Sequence, residues 1–87
     1  MAFYGLDIEQ VQQFATLTKQ KSSDITQMSS EITSKLEGTQ WEGPDATQFR
    51  SDWTQVHVPA LRQIAEALET VSTTAAQNAS EQEQASA

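Results

Sequence analysis

The chain has 87 residues, a net charge of −7, no cysteine and one histidine. A chain of this length forms one domain, and its apolar share of 37% leaves only a thin core. Disulfides are excluded because there is no cysteine, and a structural zinc site is disfavoured because it needs clustered cysteine and histidine. No cofactor is expected. Oligomerisation is therefore the expected source of additional buried area.

The net negative charge of the chain also limits the kinds of partner that it can bind. Nucleic-acid binding depends on Lys and Arg that neutralise phosphates, and the five basic residues of this chain form no dense cluster. Binding to an anionic membrane is disfavoured for the same reason. No stretch approaches the roughly 20 apolar residues of a membrane span. Residues 1–7 lack a basic n-region and an apolar h-region, so no cleaved general secretory signal is expected.

Residues 7–37 predict one long helix, because neither glycine nor proline interrupts this segment. Asp7, followed by Gln10, has the pattern of an N-cap with a variant capping box. Gly38 suits the position just after the helix, where a left-handed backbone conformation ends it.

One apolar stripe runs along this helix at steps of three, four and seven residues, as one face of a helix requires. It consists of Val11, Phe14, Leu17, Ile25, Met28, Ile32 and Leu36. Thr18 and Lys21 interrupt the stripe. The middle of the helix is therefore expected to pack loosely or to face solvent.

A turn over residues 38–43 precedes a second predicted helix over residues 44–76. Pro44 suits the first position of that helix, where its missing N–H costs nothing. Pro59 lies inside the same helix, and an interior proline predicts a kink or a short irregularity near residues 55–58.

The second helix carries an apolar surface wider than one partner helix covers. Its large apolar members are Phe49, Trp53, Leu61, Ile64 and Leu68. Together with the first stripe, they are expected to form the core of the hairpin and of a dimer. Residues 1–76 thus predict an all-α antiparallel helix-turn-helix hairpin that pairs into a dimeric four-helix bundle. Residues 77–87 hold no large apolar residue and are expected to form a frayed or disordered acidic tail.

Catalysis is not expected from this sequence, and no catalytic or metal-binding residues are predicted. His57 is the one histidine, with Ser51 and Asp52 about one turn before it. A helix surface offers these side chains neither a pocket nor an oxyanion hole. We therefore expect a protein that is not an enzyme.

The motif Trp41-Glu42-Gly43 is the most informative segment, because a large aromatic ring is unusual in a turn. Two compatible interpretations follow. The ring packs on Leu36 and Phe49 and closes the end of the hairpin, or it presents one face as an aromatic anchor for another protein. Gly43 is expected to provide a positive φ or a close backbone approach before the second helix.

Two helical halves with Trp-x-Gly between them resemble the WXG family of ESAT-like proteins, over residues 5–76. The family motif corresponds to Trp41 and Gly43. The resemblance implies a helical hairpin that forms a homodimer, or a heterodimer with a related WXG protein. It also implies export by the type VII (ESX) secretion machinery of actinobacteria and Gram-positive bacteria. Such a protein is cytoplasmic before export and extracellular or at the cell surface after it.

One feature departs from the family. Many exported members carry a tyrosine followed four residues later by an acidic residue, whereas the only tyrosine here is Tyr4. The departure predicts a heterodimer whose partner supplies this signal, or a homodimer that is escorted otherwise. An alternative function is an intracellular adaptor or chaperone that binds a larger secreted partner through the same helical surface. A membrane-active hairpin is disfavoured by the acidic character of the chain.

Overall fold

The computed structural model describes residues 6–86, and this part of the chain contains helices and no strand. Helix α1 spans Ile8–Glu37, α2 spans Pro44–Asp52 and α3 spans Val58–Ser86, with a π-helical turn at Trp53–His57. α1 packs along α3, and the principal extents are 64 × 17 × 13 Å. The all-α hairpin is confirmed. Residues 1–5 and residue 87 lie outside the described residues. The first group includes Tyr4 and most of the segment that lacks secretory-signal features, and residue 87 is the end of the expected tail.

The predicted helix starts agree with the structure. The backbone N–H of Gln10 donates to Asp7 Oδ1 at 2.9 Å, which confirms Asp7 as the N-cap of α1. Pro44 begins α2, with Gly43 as its N-cap. Both starts follow from local chemistry, because a cap or an N-terminal proline acts within the first helical turn.

Gly38 ends α1 differently from the prediction. Its φ of −86° and ψ of −2° are right-handed, so the expected left-handed conformation is wrong. The backbone N–H of Gly38 donates to the Ser34 carbonyl at 3.2 Å, and that of Thr39 donates to the Leu36 carbonyl at 3.2 Å. The second bond spans three residues, as in a 3₁₀ turn, and satisfies a helix-terminal carbonyl without a positive φ.

Small side chains line the seam between α1 and α3. Ser22 Oγ donates to the Ala65 carbonyl at 2.6 Å, and Ser72 Oγ donates to the Ala15 carbonyl at 2.6 Å. Because each hydroxyl reaches the main chain of the opposite helix, the two backbones approach closely here. The two bonds also set an antiparallel register, in which residue 22 lies opposite 65 and residue 15 opposite 72.

The middle of α1 is therefore tightly packed, which corrects the expectation of loose packing there. Thr18 and Ser22 are both buried. Thr18 Oγ1 lies 3.0 Å from the Phe14 carbonyl, so its hydroxyl is satisfied within its own helix. Lys21 projects to solvent beside them. The sequence prediction counted only large apolar residues as packing residues and so overlooked the small polar residues that share the seam with them.

The irregularity expected from Pro59 is the π-helical turn at Trp53–His57. The backbone N–H of Val58 donates to the Trp53 carbonyl, five residues earlier. Pro59 has no N–H to donate, and its ring conflicts with the carbonyl four residues before it. A single π turn inserts one extra residue and accommodates the proline without breaking the helical arm.

α3 continues to Ser86, through the segment that was expected to be a tail. Ala79 is fully buried and Gln82 is also buried. In the register set by the serine bonds, Ala79 lies opposite the start of α1. On α3 the seam continues here with Ala79 and Gln82 rather than with large apolar side chains. Because composition shows no large apolar residue in this segment, it predicted a tail where the structure has a helix.

The seam predicts that a larger side chain at position 22 is destabilising, even when it is more apolar. We expect Ser22→Leu to lower the free energy of unfolding by about 1–3 kcal/mol, because overpacking separates the helices. Ser23→Leu is the matched control: Ser23 is exposed, and the change should stay within about 0.5 kcal/mol. Urea unfolding followed by circular dichroism, at one protein concentration, measures both. Equal stability of the two variants would contradict the close seam.

Candidate recognition turn and apolar face

The turn between α1 and α2 has one glycine that its geometry requires. Gly43 has φ 119° and ψ 173°, a backbone conformation that side chains disfavour. A Cβ at Gly43 would meet no atom within 4 Å, so the positive φ rather than a close approach accounts for glycine here. The Gly43 carbonyl then accepts the Thr47 N–H at 3.1 Å, which joins the turn to α2.

Arg50 of α2 holds the backbone of the turn. Its Nη1 donates to the Trp41 carbonyl at 2.7 Å, and its Nη2 donates to the Thr39 carbonyl at 3.0 Å. The guanidinium carbon lies 6.0 Å from the centroid of the Trp41 ring, within the range of a cation–π contact. Arg50 is not predicted from the sequence, because no recognised motif places a basic residue nine positions after a turn tryptophan.

Aromatic rings follow one another from the turn into the helical arm. The centroids of Trp41 and Phe49 are 5.9 Å apart, and those of Phe49 and Trp53 are 6.2 Å apart with nearly parallel planes. Trp53 is buried in the seam, where its Nε1 donates to Thr33 Oγ1 at 2.9 Å. The Trp41 ring remains 40% exposed. It therefore packs on Phe49, as expected, and also presents surface to solvent.

Some residues of the two antiparallel helices lie on the same side of the hairpin. On both helices, these are the residues that come directly before a seam residue in the sequence. Each residue advances about 100° around the helix. The two helices run in opposite directions and turn their seam residues towards each other, so a step of one residue from the seam leads to the same side of the hairpin on both. Phe14 and Leu17 immediately precede the buried Ala15 and Thr18. On the other helix, Ile64 stands in the same relation to the buried Ala65.

These residues therefore lie on one side of the hairpin, which we call the apolar face. It comprises Phe14, Leu17, Met28 and Ile32 of α1 and Ile64 and Val71 of α3, all of them exposed. Phe49, three residues after the buried Ala46 and four before the buried Trp53, continues the face towards Trp41. The exposed ring of the turn and the apolar face are thus continuous.

The twelve residues expected to form the core divide into two groups. Six lie at the seam, where Trp53 is buried and the other five are half-buried; these are Val11, Ile25, Leu36, Trp53, Leu61 and Leu68. Six lie outside the seam and are 39–50% exposed; these are Phe14, Leu17, Met28, Ile32, Phe49 and Ile64. The hairpin alone buries only the first group.

The opposite side of the hairpin carries a groove of about 370 Å³ near the turn, whose lining combines the apolar residues Ile25, Val58 and Leu61 with polar ones. Its lining includes Thr26, Ser30 and Glu37 of α1 and Arg62 of α3. Thr26, Ser30 and Arg62 directly follow the seam residues Ile25, Ser29 and Leu61. The groove therefore confirms that equal offsets on the two helices meet on one side, which is the side away from the apolar face.

The groups considered for catalysis are not assembled into a pocket. His57 is exposed, with its ring centroid 6.2 Å from that of Trp53. Over residues 6–86, no three His, Asp or Glu side chains are grouped so that they could hold a metal ion. In the same range, no helix is both long enough and apolar enough to cross a membrane.

Comparison with known proteins gives no match. No family model matches this sequence, and neither a curated protein nor a solved structure is similar to it. Function is therefore inferred from the turn, the seam and the apolar face.

The two glycines that flank the turn should respond differently to alanine. Gly43→Ala forces a positive φ on a residue with a Cβ, so we expect it to lower the free energy of unfolding by about 1–2 kcal/mol. Gly38→Ala is the matched control, because Gly38 is right-handed and a Cβ there makes only ordinary contacts at 3.7 and 3.9 Å. It should be neutral or stabilising by up to about 1 kcal/mol. Equal losses in thermal unfolding would contradict the assigned role of Gly43.

Proposed function

We propose that this chain is a non-enzymatic substrate of a type VII (ESX) secretion system and acts as a dimeric helical binding module. In this proposal, Trp41 and Gly43 form part of the signal that the secretion machinery reads. Export then needs no cleaved signal peptide, and the protein is cytoplasmic before export and extracellular or at the cell surface afterwards.

The observation that carries the proposal is the partial exposure of Trp41 in a rigid turn. A ring that served only to close the hairpin would gain most by full burial, because each Å² of apolar surface removed from water stabilises by about 25 cal/mol. Instead, 40% of Trp41 is accessible while Arg50 and Phe49 hold its backbone and ring in place. A fixed, half-exposed tryptophan suits an aromatic anchor at a protein interface.

The apolar face supports the second part of the proposal, the binding module. Monomeric soluble proteins rarely expose large contiguous apolar patches, and such patches commonly bind another protein. Here the apolar residues run along both helices, interrupted on α1 by Lys21 and Asp24, which suits a partner made of helices. The same face would serve an intracellular adaptor or chaperone, so export itself is what separates the two functions.

Replacement of the turn tryptophan tests the export signal. We expect Trp41→Ala to reduce the secreted fraction at least about tenfold, a factor that corresponds to the loss of one aromatic contact of about 1.4 kcal/mol. Helix content by circular dichroism should stay near that of the wild type, because the ring packs outside the seam. Glu42→Ala is the matched control at the free middle position of the motif and should leave export unchanged.

Two outcomes would contradict the proposal. If Trp41→Ala lowers the melting temperature as much as it lowers export, closure of the hairpin end explains the residue. If fractionation finds the wild-type protein only in the cytoplasm while the secretion ATPase is intact, the adaptor function is correct instead.

A further inference from the structure

We propose that the groove near the turn binds an extended peptide segment of another protein, which places an acidic residue at Arg62 and a basic residue at Glu37. The groove has a volume of about 370 Å³ and lies on the side away from the apolar face. This inference goes beyond the proposed function, because it concerns a second surface that includes neither the Trp-x-Gly motif nor the apolar face.

The groove has an apolar floor that the hairpin leaves partly uncovered. Ile25 of α1 and Val58 and Leu61 of α3 line it, and each of these side chains is only half-buried. The polar lining residues Ser30 and Arg62 are exposed and therefore form the rim. Removal of the floor from water favours binding of an aliphatic side chain, and the volume lies within the range of about 300–1,000 Å³ that ligand sites have.

The two ends of the groove carry opposite charges. Arg62 and Glu37 are both exposed, and neither forms an ion pair within the part of the chain that the structure describes. In the register of the seam, Arg62 lies opposite residue 25, twelve residues before Glu37. The two charges are therefore about 18 Å apart along the hairpin, at 1.5 Å per residue. A ligand with a carboxylate and an ammonium group at this spacing is complementary to both ends.

The hydroxyl groups of the groove favour an extended peptide over a helix. Ser29, Ser30 and Ser34 line the α1 wall, and their hydroxyls have no hydrogen-bond partner among residues 6–86. A helix satisfies its own backbone groups, whereas an extended segment needs partners for its N–H and C=O groups. A serine hydroxyl both donates and accepts, so this wall suits the backbone of an extended segment.

The spacing of the lining residues predicts the pattern of the peptide. An extended segment rises about 3.3 Å per residue and turns alternate side chains to one side, so seven residues span about 20 Å and match the two charges. The first side chain is acidic and meets Arg62. The third is aliphatic and lies over Val58, the fifth is small and polar beside Ser34, and the seventh is basic and meets Glu37.

A synthetic peptide of this pattern tests the site. The peptide is acetyl-Asp-Thr-Leu-Thr-Thr-Thr-Lys-amide, whose blocked ends carry no charge. We expect it to bind the full chain with a dissociation constant of about 0.1–1 mM, because so small a contact lies far below the area of a stable protein interface. In a nuclear magnetic resonance titration of the labelled chain, the amide signals of Ser30, Ser34 and Arg62 should shift, and those of Phe14 and Ile64 on the apolar face should not.

Two results of this titration would overturn the inference. They are the absence of any shift at about 10 mM peptide, well above the expected dissociation constant, and shifts confined to the apolar face. Neither result touches the export prediction for Trp41→Ala, which is measured in cells and does not involve the groove.

Removal of the cation tests the charge contact. We expect Arg62→Gln to weaken binding of the peptide about fivefold, the upper range for one exposed charge pair. Lys35→Gln is the matched control, because it removes the same charge at the same end of the hairpin. Lys35 directly precedes the seam residue Leu36 and so lies on the side of the apolar face. The control should leave binding unchanged, and both variants should keep the helix content of the wild type. Equal affinities of the two variants would overturn the assigned role of Arg62.

Two other ligands test the kind of occupant. Octanoate has a carboxylate on an aliphatic chain but no second charge, and a stapled helical peptide with aspartate and lysine twelve residues apart spans the same distance as a helix. Both should bind more weakly than the extended peptide. Equal or tighter binding of octanoate would assign the groove to an anionic amphiphile, and equal or tighter binding of the helical peptide would assign it to a partner helix. Either result would overturn the extended peptide.

Discussion

The two hydrogen bonds from serine hydroxyls to opposite backbone carbonyls are the constraint on which the hairpin depends. Ser22 to Ala65 and Ser72 to Ala15, both at 2.6 Å, require that the two main chains come close together. At these two points only small side chains such as Ala15, Ser22, Ala65 and Ser72 fit between the helices. The same bonds set the register of α1 against α3, and this register determines which residues of the two helices lie opposite each other. The seam combines these small residues with six large apolar ones that are buried or half-buried, whereas Phe14, Leu17, Met28 and Ile64 lie outside it.

The turn end of the molecule satisfies the same constraint in a different way. The indole of Trp53 enters the seam there and donates to Thr33 Oγ1, so this end of the seam holds a large ring as well as small residues. The π turn that begins at Trp53 absorbs the extra residue required by Pro59. Arg50 then donates to two carbonyls of the loop, which ties the backbone that carries Trp41 to α2. A turn held in this way loses less conformational entropy on binding than an untethered one.

The apolar face is the other consequence of the narrow seam. It joins the exposed ring of the turn through Phe49, so export recognition and partner binding are proposed for neighbouring parts of one surface. The groove near the turn lies on the opposite side and remains accessible when the apolar face is covered. This separation means that a partner helix on one side leaves the other side of the hairpin free.

The sequence by itself determined the elements whose causes are local. Asp7 caps α1, Pro44 starts α2 and Pro59 disturbs the second arm, because each effect acts within one helical turn. For Gly43 the sequence left a positive φ and a close backbone approach open, and the structure shows the positive φ. The tertiary structure alone decided which side of each helix faces the other. Apolar periodicity identifies a stripe, but two adjacent stripes one residue apart look like one broad surface, and small polar residues such as Ser22 give no apolar signal. The seam uses the stripe that contains Ala15, Ser22, Ala65 and Ser72, because the hydrogen bonds between the helices require small residues at these positions. The helical course of residues 77–86 and the role of Arg50 were likewise decided by contacts between segments distant in sequence, which no local pattern records.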